Sequence, residues 1–351
     1  MEKKVTIRDI AAKANVSISL VSFVMNNRIE MNGKQRYRVS ETTRKRIMEI
    51  ARELDYRPNS AARTLRNGRS LVIGVILSDI SNVFYGEIAR RVEDIAYQRG
   101  YTVLFGSTDE NAAKLNMLVH AFIDKGVDGF ILVPCENSQK SIDRILQANI
   151  PLVILDRHDM ISHAPTITID NSKAMEHAVE ILLRKHIRRI EMISYTMGVS
   201  SIAERENGYM ERMRREGVDE SEICIHRVPF NNVDEEVQQL IPGIINRKVE
   251  GLVFATNTLT IATIRALVHQ GIRVQKDIQI VGFDNSDVYT LFTPQIAHIQ
   301  QPIADICRAS CDNLFDLIDG RMRQDLNTIV LDHIVAEDEG LIAQKEYALT
   351  E

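Results

Sequence analysis

The side chains able to do chemistry in this chain gather just past short apolar runs. Asp79 follows the run Leu71 to Leu77, Asp156 and Arg157 follow Leu152 to Leu155, Asn257 follows Leu252 to Phe254, and Asp284 and Asn285 follow Ile278 to Val281. Ser107, Asp109 and Glu136 stand in similar places. Carboxylates and amides so placed accept hydrogen bonds from hydroxyls, and Phe84 and Tyr85 nearby offer aromatic faces to the apolar side of a ring. That set suits capture of a polyhydroxylated small molecule, such as a sugar. Bond-breaking chemistry has less support, because the sequence lacks GxGxxG, GxxxxGKS or GxxxxGKT, HExxH and GxSxG. Its nine histidines show no metal spacing, and Cys135, Cys224, Cys307 and Cys311 form no CxxC pair. The expectation is no catalytic residue, no cofactor and no metal.

For these residues to converge, the runs before them must be strands of an open parallel sheet, which binds ligands beyond its carboxyl ends. After Gly68, β-branched runs do alternate with helical periods such as Ile88, Ala89, Val92, Ile95 and Ala96, the pattern of α/β architecture. A first set of strands covers 71–77, 102–105, 130–133 and 152–155; a second covers 166–169, 190–193, 225–228, 252–254 and 278–281. Lys125-Gly126-Val127-Asp128-Gly129 and Lys248-Val249-Glu250-Gly251 look like the same helix-to-strand passage made twice. Two similar lobes are the economical reading.

Residues 1–66 differ in kind. They hold 15 Lys and Arg against 7 Asp and Glu, while the other 285 residues hold 28 against 41, so a basic head precedes an acidic body. Such a head suits phosphates. Thr6 and Asp9 have capping-box spacing, and Ile7, Ile10, Ala11 and Ala14 then share a helix face. Asn15 supplies a left-handed turn residue, and Ser17 caps a second helix. Leu20, Val21, Val24 and Met25 form that helix's inner face, leaving Ile18, Ser19, Ser22, Phe23 and Asn26 outward. A third helix begins at Ser40 and buries Ile47, Ile50, Ala51 and Leu54. This is the helix-turn-helix plan, in which the Ser17 helix enters the major groove and apolar Ile18 and Phe23 meet thymine methyls.

With Val5 to Ala11, Asn15-Val16-Ser17, Val21-Ser22, Asn26 and the run Tyr56 to Arg66, the head resembles the LacI/GalR family. The body resembles it too, through Asp79 to Asn82, Leu155-Asp156-Arg157, Asp170-Asn171, Arg205 to Gly208, Gly282-Phe283-Asp284 and Gln301-Pro302. The resemblance implies an all-α helix-turn-helix head on a two-lobed, periplasmic-binding-protein-like α/β body. It further implies a homodimer, or a tetramer of paired dimers, that reads a pseudo-palindromic operator in double-stranded DNA under control of a small-molecule effector. The DNA-contacting set is then Thr6, Ser17, Ile18, Ser19, Ser22, Phe23, Asn26, Arg36, Arg38, Tyr56, Asn59, Ala62 and Leu65, with Leu65 as a minor-groove wedge. Arg205, Asp284 and Asp156 match effector positions, joined by Asp79, Phe84, Tyr85 and Asn257. There are departures. Phe23 stands where the family usually has Arg, the loop from Asn27 to Val39 is lengthened and basic, Val83 replaces a common Pro, and Ala255-Thr256-Asn257 replaces Ala-Asn-Asp.

The expected organisation is a head over 1–58, a hinge helix and linker over 59–68, and a body over 69–351. Lobe one takes about 69–165 and 299–327; lobe two takes 166–298 and 328–351. No apolar run approaches the ~18 residues of a membrane span, and Met1-Glu2-Lys3-Lys4 opens no signal-peptide pattern, so a cytoplasmic protein is expected. Two competing classes share the body: an exported solute-binding protein, disfavoured by the basic head, and an enzyme, disfavoured by the missing motifs.

Overall fold

The computed structural model describes residues 5–25, 39–56, 68–157, 164–321 and 328–337. The chain divides into two units, Met1–Ser70 and Leu71–Glu351.

In the first unit, α1 (Ile7–Ala14), α2 (Ile18–Met25) and α3 (Glu41–Glu53) enclose a small core. Ile10, Ala14, Val21, Val24, Ile47 and Ile50 fill it. Each start and stop follows from local chemistry. Asp9 accepts from the backbone N–H and hydroxyl of Thr6 at 2.7 Å, Asn15 takes a left-handed φ of 48° to end α1, and the hydroxyls of Ser17 and Ser40 accept from Leu20 and Thr43 N–H.

The second unit alternates strands and helices. Its first part runs β1 (Val72–Leu77), α4 (Val83–Gln98), β2 (Thr102–Ser107), α5 (Ala112–Asp124), β3 (Gly129–Leu132), α6 (Gln139–Gln147), β4 (Leu152–Leu155) and β5 (Thr166–Ile169). The next part runs α7 (Asn171–Arg184), β6 (Ile190–Tyr195), α8 (Ser200–Arg215), β7 (Ile225–Val228), α9 (Val233–Asn246), β8 (Gly251–Phe254), α10 (Asn257–His269), β9 (Gln279–Phe283) and β10 (His298–Gln300). The chain finishes with α11 (Ile303–Ile318), β11 (Thr328–Leu331) and β12 (Ile334–Ala336). Among the described residues the strands form two sheets, ordered β11-β5-β4-β3-β1-β2 and β12-β10-β9-β8-β6-β7. Every pairing is parallel except β10 with β12. The interior strands β3, β4, β6 and β8 are buried along their whole length, as strands covered by helices on both faces must be.

The sheets correct the sequence-based lobes. The strand at 166–169, expected in lobe two, lies in the first sheet, where Ile154 and Leu155 register with Thr166 and Ile167. The segment at 328–331, also expected in lobe two, joins the same sheet by pairing with β5. Conversely, β10 at 298–300 belongs to the second sheet, beside β9. The chain therefore passes between lobes at 169–171, 300–303 and 331–334. Periodicity identifies a strand but not the sheet it joins, because pairing partners lie far away in the chain. The strand β10 went unread because Ile299 is its single apolar side chain, and β12, though apolar at Ile334, Val335 and Ala336, is too short for a period to register.

Candidate functional site

Both sheets reverse their winding at one strand. In the first, β1 sits between β2 and β3; in the second, β6 sits between β7 and β8. Loops diverge at such a strand and leave a crevice at its carboxyl end. A polar cleft opens there, lined from both lobes, with about 460 Å³ of free space counting its open mouth.

Six of the expected effector residues line it: Asp79, Phe84, Tyr85, Asp156, Arg205 and Asp284. Asp156 and Asp284 each stand immediately past a strand with left-handed φ, 70° and 59°, a turn that Asp tolerates better than most residues. The Tyr85 hydroxyl donates to Asp156 Oδ2 at 2.9 Å. Asp156 Oδ2 also lies 3.6 Å from Arg157 Nε, while Oδ1 lies 4.0 Å from Arg205 Nη2 across the lobes. Burial, with Asp156 beside it, drives the Tyr85 phenol well above its ordinary value, so it stays a donor.

Arg205 is buried and fixed. Its Nε donates to Asn171 Oδ1 at 2.9 Å, its Nη1 to the Ala255 carbonyl at 2.7 Å, and its guanidinium carbon lies 3.9 Å from the centre of the Phe283 ring. Arg157 is held by both oxygens of Glu110 at 2.6 and 2.8 Å and by the Pro134 carbonyl, while its buried Nε makes no hydrogen bond. Burial raises Asp284 to about 6, against the opposing pull of Arg205 and of the Gln301 amide.

Asn257 does not line the cleft. It is the first residue of α10, and its Oδ1 accepts from the Thr258 hydroxyl at 3.4 Å within that helix's own first turn; the N-cap Thr256 occupies the rim instead. Ser107, Asp109, Glu136 and Asn285 are also outside the lining. Asp109 is taken up by Ser107 and Lys114, and Glu136 accepts from the Gly198 N–H of the opposite lobe.

The sequence reading missed Glu110, Tyr195, Phe230 and Gln301. Tyr195 ends β6, two residues beyond the expected strand, and Phe230 follows β7, so looking past the true strand ends would have found both. Gln301 follows the unread β10. Glu110 carried no local signal. Tyr195 and Phe230, with ring centroids 5.7 Å apart, give the second lobe an aromatic pair to match Phe84 and Tyr85 on the first, 5.0 Å apart.

In the head, Ile18 is 44% exposed, and Ser17 and Ser19 are exposed beside it. Phe23, expected to point outward, is half-buried and packs against the head's core. It follows Leu20 by three residues, near enough on the helix wheel for a large ring to fold onto the core's edge. Tyr56 packs against the same core, and burial raises its phenol. Asn26, Arg36, Arg38, Asn59, Ala62 and Leu65, with the expected hinge helix, lie outside the described residues.

The comparisons agree with this architecture. Residues 6–59 match the profile of the bacterial regulatory proteins, lacI family, and residues 179–336 match a periplasmic binding protein-like domain. The chain is 30% identical to the catabolite control protein A of Priestia megaterium over 86% of this chain and 89% of that one. It is 32% identical to the ribose operon repressor of Halalkalibacterium halodurans, over 86% of each. The crystal structure of a Lac repressor dimer bound to operator and the anti-inducer ONPF superposes with a TM-score of 0.79, covering 95% of this chain and 98% of that one at 23% identity. A three-helix head with a capped second helix, two switch-point sheets facing one cleft, and relatives matched along most of their length lead to one assignment: this chain is a DNA-binding transcriptional regulator of the lacI family.

Proposed function

We propose that this chain is a cytoplasmic repressor of carbohydrate-use genes that binds operator DNA as a homodimer and is controlled by an uncharged sugar in the inter-lobe cleft. One observation carries the ligand class. Four carboxylates line the cleft, from Asp79, Glu110, Asp156 and Asp284, against two guanidiniums that protein acceptors already hold. Hydroxyl donors find acceptors there, and an aromatic pair on each lobe can cover the faces of a pyranose or furanose ring. An anionic group meets a surplus of negative charge there, four carboxylates against two guanidiniums. The relatives fit this theme, one being a ribose operon repressor. The ligand is bound rather than transformed, so no enzymatic step is assigned. Among the described residues no helix is long and apolar enough to cross a membrane.

A thermal-shift screen of the full chain against pentoses, hexoses, disaccharides and their phosphates tests the reading, since ligand at 100 times its dissociation constant stabilises by ~2.7 kcal/mol. The expected result is a rise in Tm with a neutral sugar, which then changes operator affinity in a DNA titration. Stabilisation by phosphorylated sugars alone overturns the ligand class.

A further inference from the structure

The second sheet carries a cluster of potential metal ligands on the β6–β7 pair, toward the strand ends opposite those that lead to Tyr195 and Phe230. The parallel register sets Met192 against Ile225 and Ile193 against His226, which puts Glu191 beside Cys224. Side chains alternate along a strand, so Cys224 and His226, two apart, share a face with Glu191. The result is convergence on one atom. His226 Nε2 lies 2.6 Å from Glu191 Oε2, 3.3 Å from Cys224 Sγ and 3.0 Å from Arg247 Nη2. One thiol sulfur, one imidazole nitrogen and one carboxylate oxygen all fall within 4.8 Å of one another.

A single Nε2 either donates to the Glu191 carboxylate or accepts from the Arg247 guanidinium; it cannot do both. Arg247 grips Glu191 through Nε and Nη2, both at 2.9 Å, and supplies the positive charge that a cation would otherwise bring. Its side chain is 47% exposed at the C-terminal end of α9, so it is free to swing into solvent when another cation takes over the carboxylate.

We propose that Glu191, Cys224 and His226 form a binding site for one zinc-type divalent ion at the β6–β7 side of the second lobe. Sulfur, nitrogen and oxygen donors suit zinc, with bonds of about 2.3 Å to S and 2.0 to 2.2 Å to N and O, and water completes the tetrahedron. Those bond lengths place ligand atoms roughly 3.3 to 3.6 Å apart, so Nε2 and Oε2 must separate by under about 1 Å. Binding displaces the Cys224 thiol proton and releases Arg247 from Glu191. No local pattern marks this set, since Glu191 and His226 are 35 residues apart and meet only through strand pairing.

The test uses the full chain, stripped of metal by chelation and titrated with Zn²⁺ against a chromophoric competitor and separately with Co²⁺. Expected are one tight equivalent per chain, a thiolate-to-cobalt charge-transfer band, and loss of both in Cys224→Ser, with zinc affinity down by at least about tenfold. Arg247→Gln should bind zinc more tightly than the parent, because a competing cation has gone; a merely structural ion-pair cluster would lose stability without gaining affinity. The absence of a charge-transfer band in the parent chain, which needs no variant to fold, overturns the proposal. So does equal zinc binding by the parent and Cys224→Ser, or unchanged affinity in Arg247→Gln.

Discussion

The side-chain amide of Gln301 donates to Asp284 Oδ1 at 2.8 Å, and both residues are buried. Asp284 stands immediately past β9, while Gln301 begins the passage from β10 back to the first lobe, so the bond ties a cleft-lining carboxyl to an inter-lobe crossing. Because Asp284 sits near 6 instead of its ordinary 3.8, folding favours its protonated form. Its contribution to stability is then fully present below about 4, falls as pH rises to about 6, and is level above that. The gap corresponds to at most about 3 kcal/mol. Asp284→Asn, which cannot ionise, should gain on the parent across pH 4 to 6 and not beyond. Denaturant unfolding of both proteins at several pH values checks this; parallel stability curves would show that the carboxylate does not sense its burial.

The Tyr85 hydroxyl holds Asp156 in the cleft by a buried hydrogen bond. Tyr85→Phe should lower effector affinity by about five- to tenfold, the worth of roughly one hydrogen bond. Ligand-free operator affinity should stay within twofold. Calorimetry with the sugar found by screening supplies the number, and an unchanged dissociation constant excludes Tyr85 and Asp156 from the binding set.

Glu136 of the first lobe accepts from the Gly198 N–H of the second, yet neither lines the cleft. Contacts that exist only when lobes are close bias the population toward closure. Glu136→Ala should weaken ligand binding by a few-fold, mainly through faster dissociation, and enlarge the ligand-free molecule in small-angle scattering. Normal dissociation rates together with unaltered scattering would remove this contact from the closure mechanism.

Helices α7 and α8 meet at Gly208, where a Cβ would come 2.1 Å from the Ser172 carbonyl oxygen. Backbone cannot yield as a side-chain end can. Gly208→Ala should therefore separate the helices and destabilise the second lobe by ~3 kcal/mol. It should do so with or without sugar, visible as a lowered first transition in calorimetry. A Tm within a degree of the parent would mean that the two helices tolerate the added methyl.

In the head, Ile18 and Val21 share α2 but not a face: Ile18 is 44% exposed and Val21 fully buried. Ile18→Ala should leave head stability nearly unchanged while weakening operator binding more than binding to random DNA. Val21→Ala should cost the head about 1 to 3 kcal/mol. Phe23→Ala should combine both effects, because its ring packs on the core. Circular dichroism melts paired with binding to operator and random duplexes separate the three cases. Equal losses on both duplexes for Ile18→Ala would take it out of base reading.

The sequence by itself determined what neighbours along the chain decide. Thr6 with Asp9, Asn15, Ser17 and Ser40 mark the head helices, because caps and left-handed turns act within four residues. The strands β1 to β9 were legible as apolar runs, and Asp79, Asp156 and Asp284 as polar residues at their ends, since strand ends in an open sheet point to its binding edge. Tertiary structure alone decided the rest. The assignment of β5 and β11 to the first sheet, the entry of Gln301 into the cleft through β10, the Glu110 clamp on Arg157, the folding of Phe23 onto the head's core, and the meeting of Glu191, Cys224 and His226 all depend on partners far away in sequence. Periodicity records which face of an element is apolar. It does not record which distant backbone completes the ladder, and that pairing fixes where each side chain arrives.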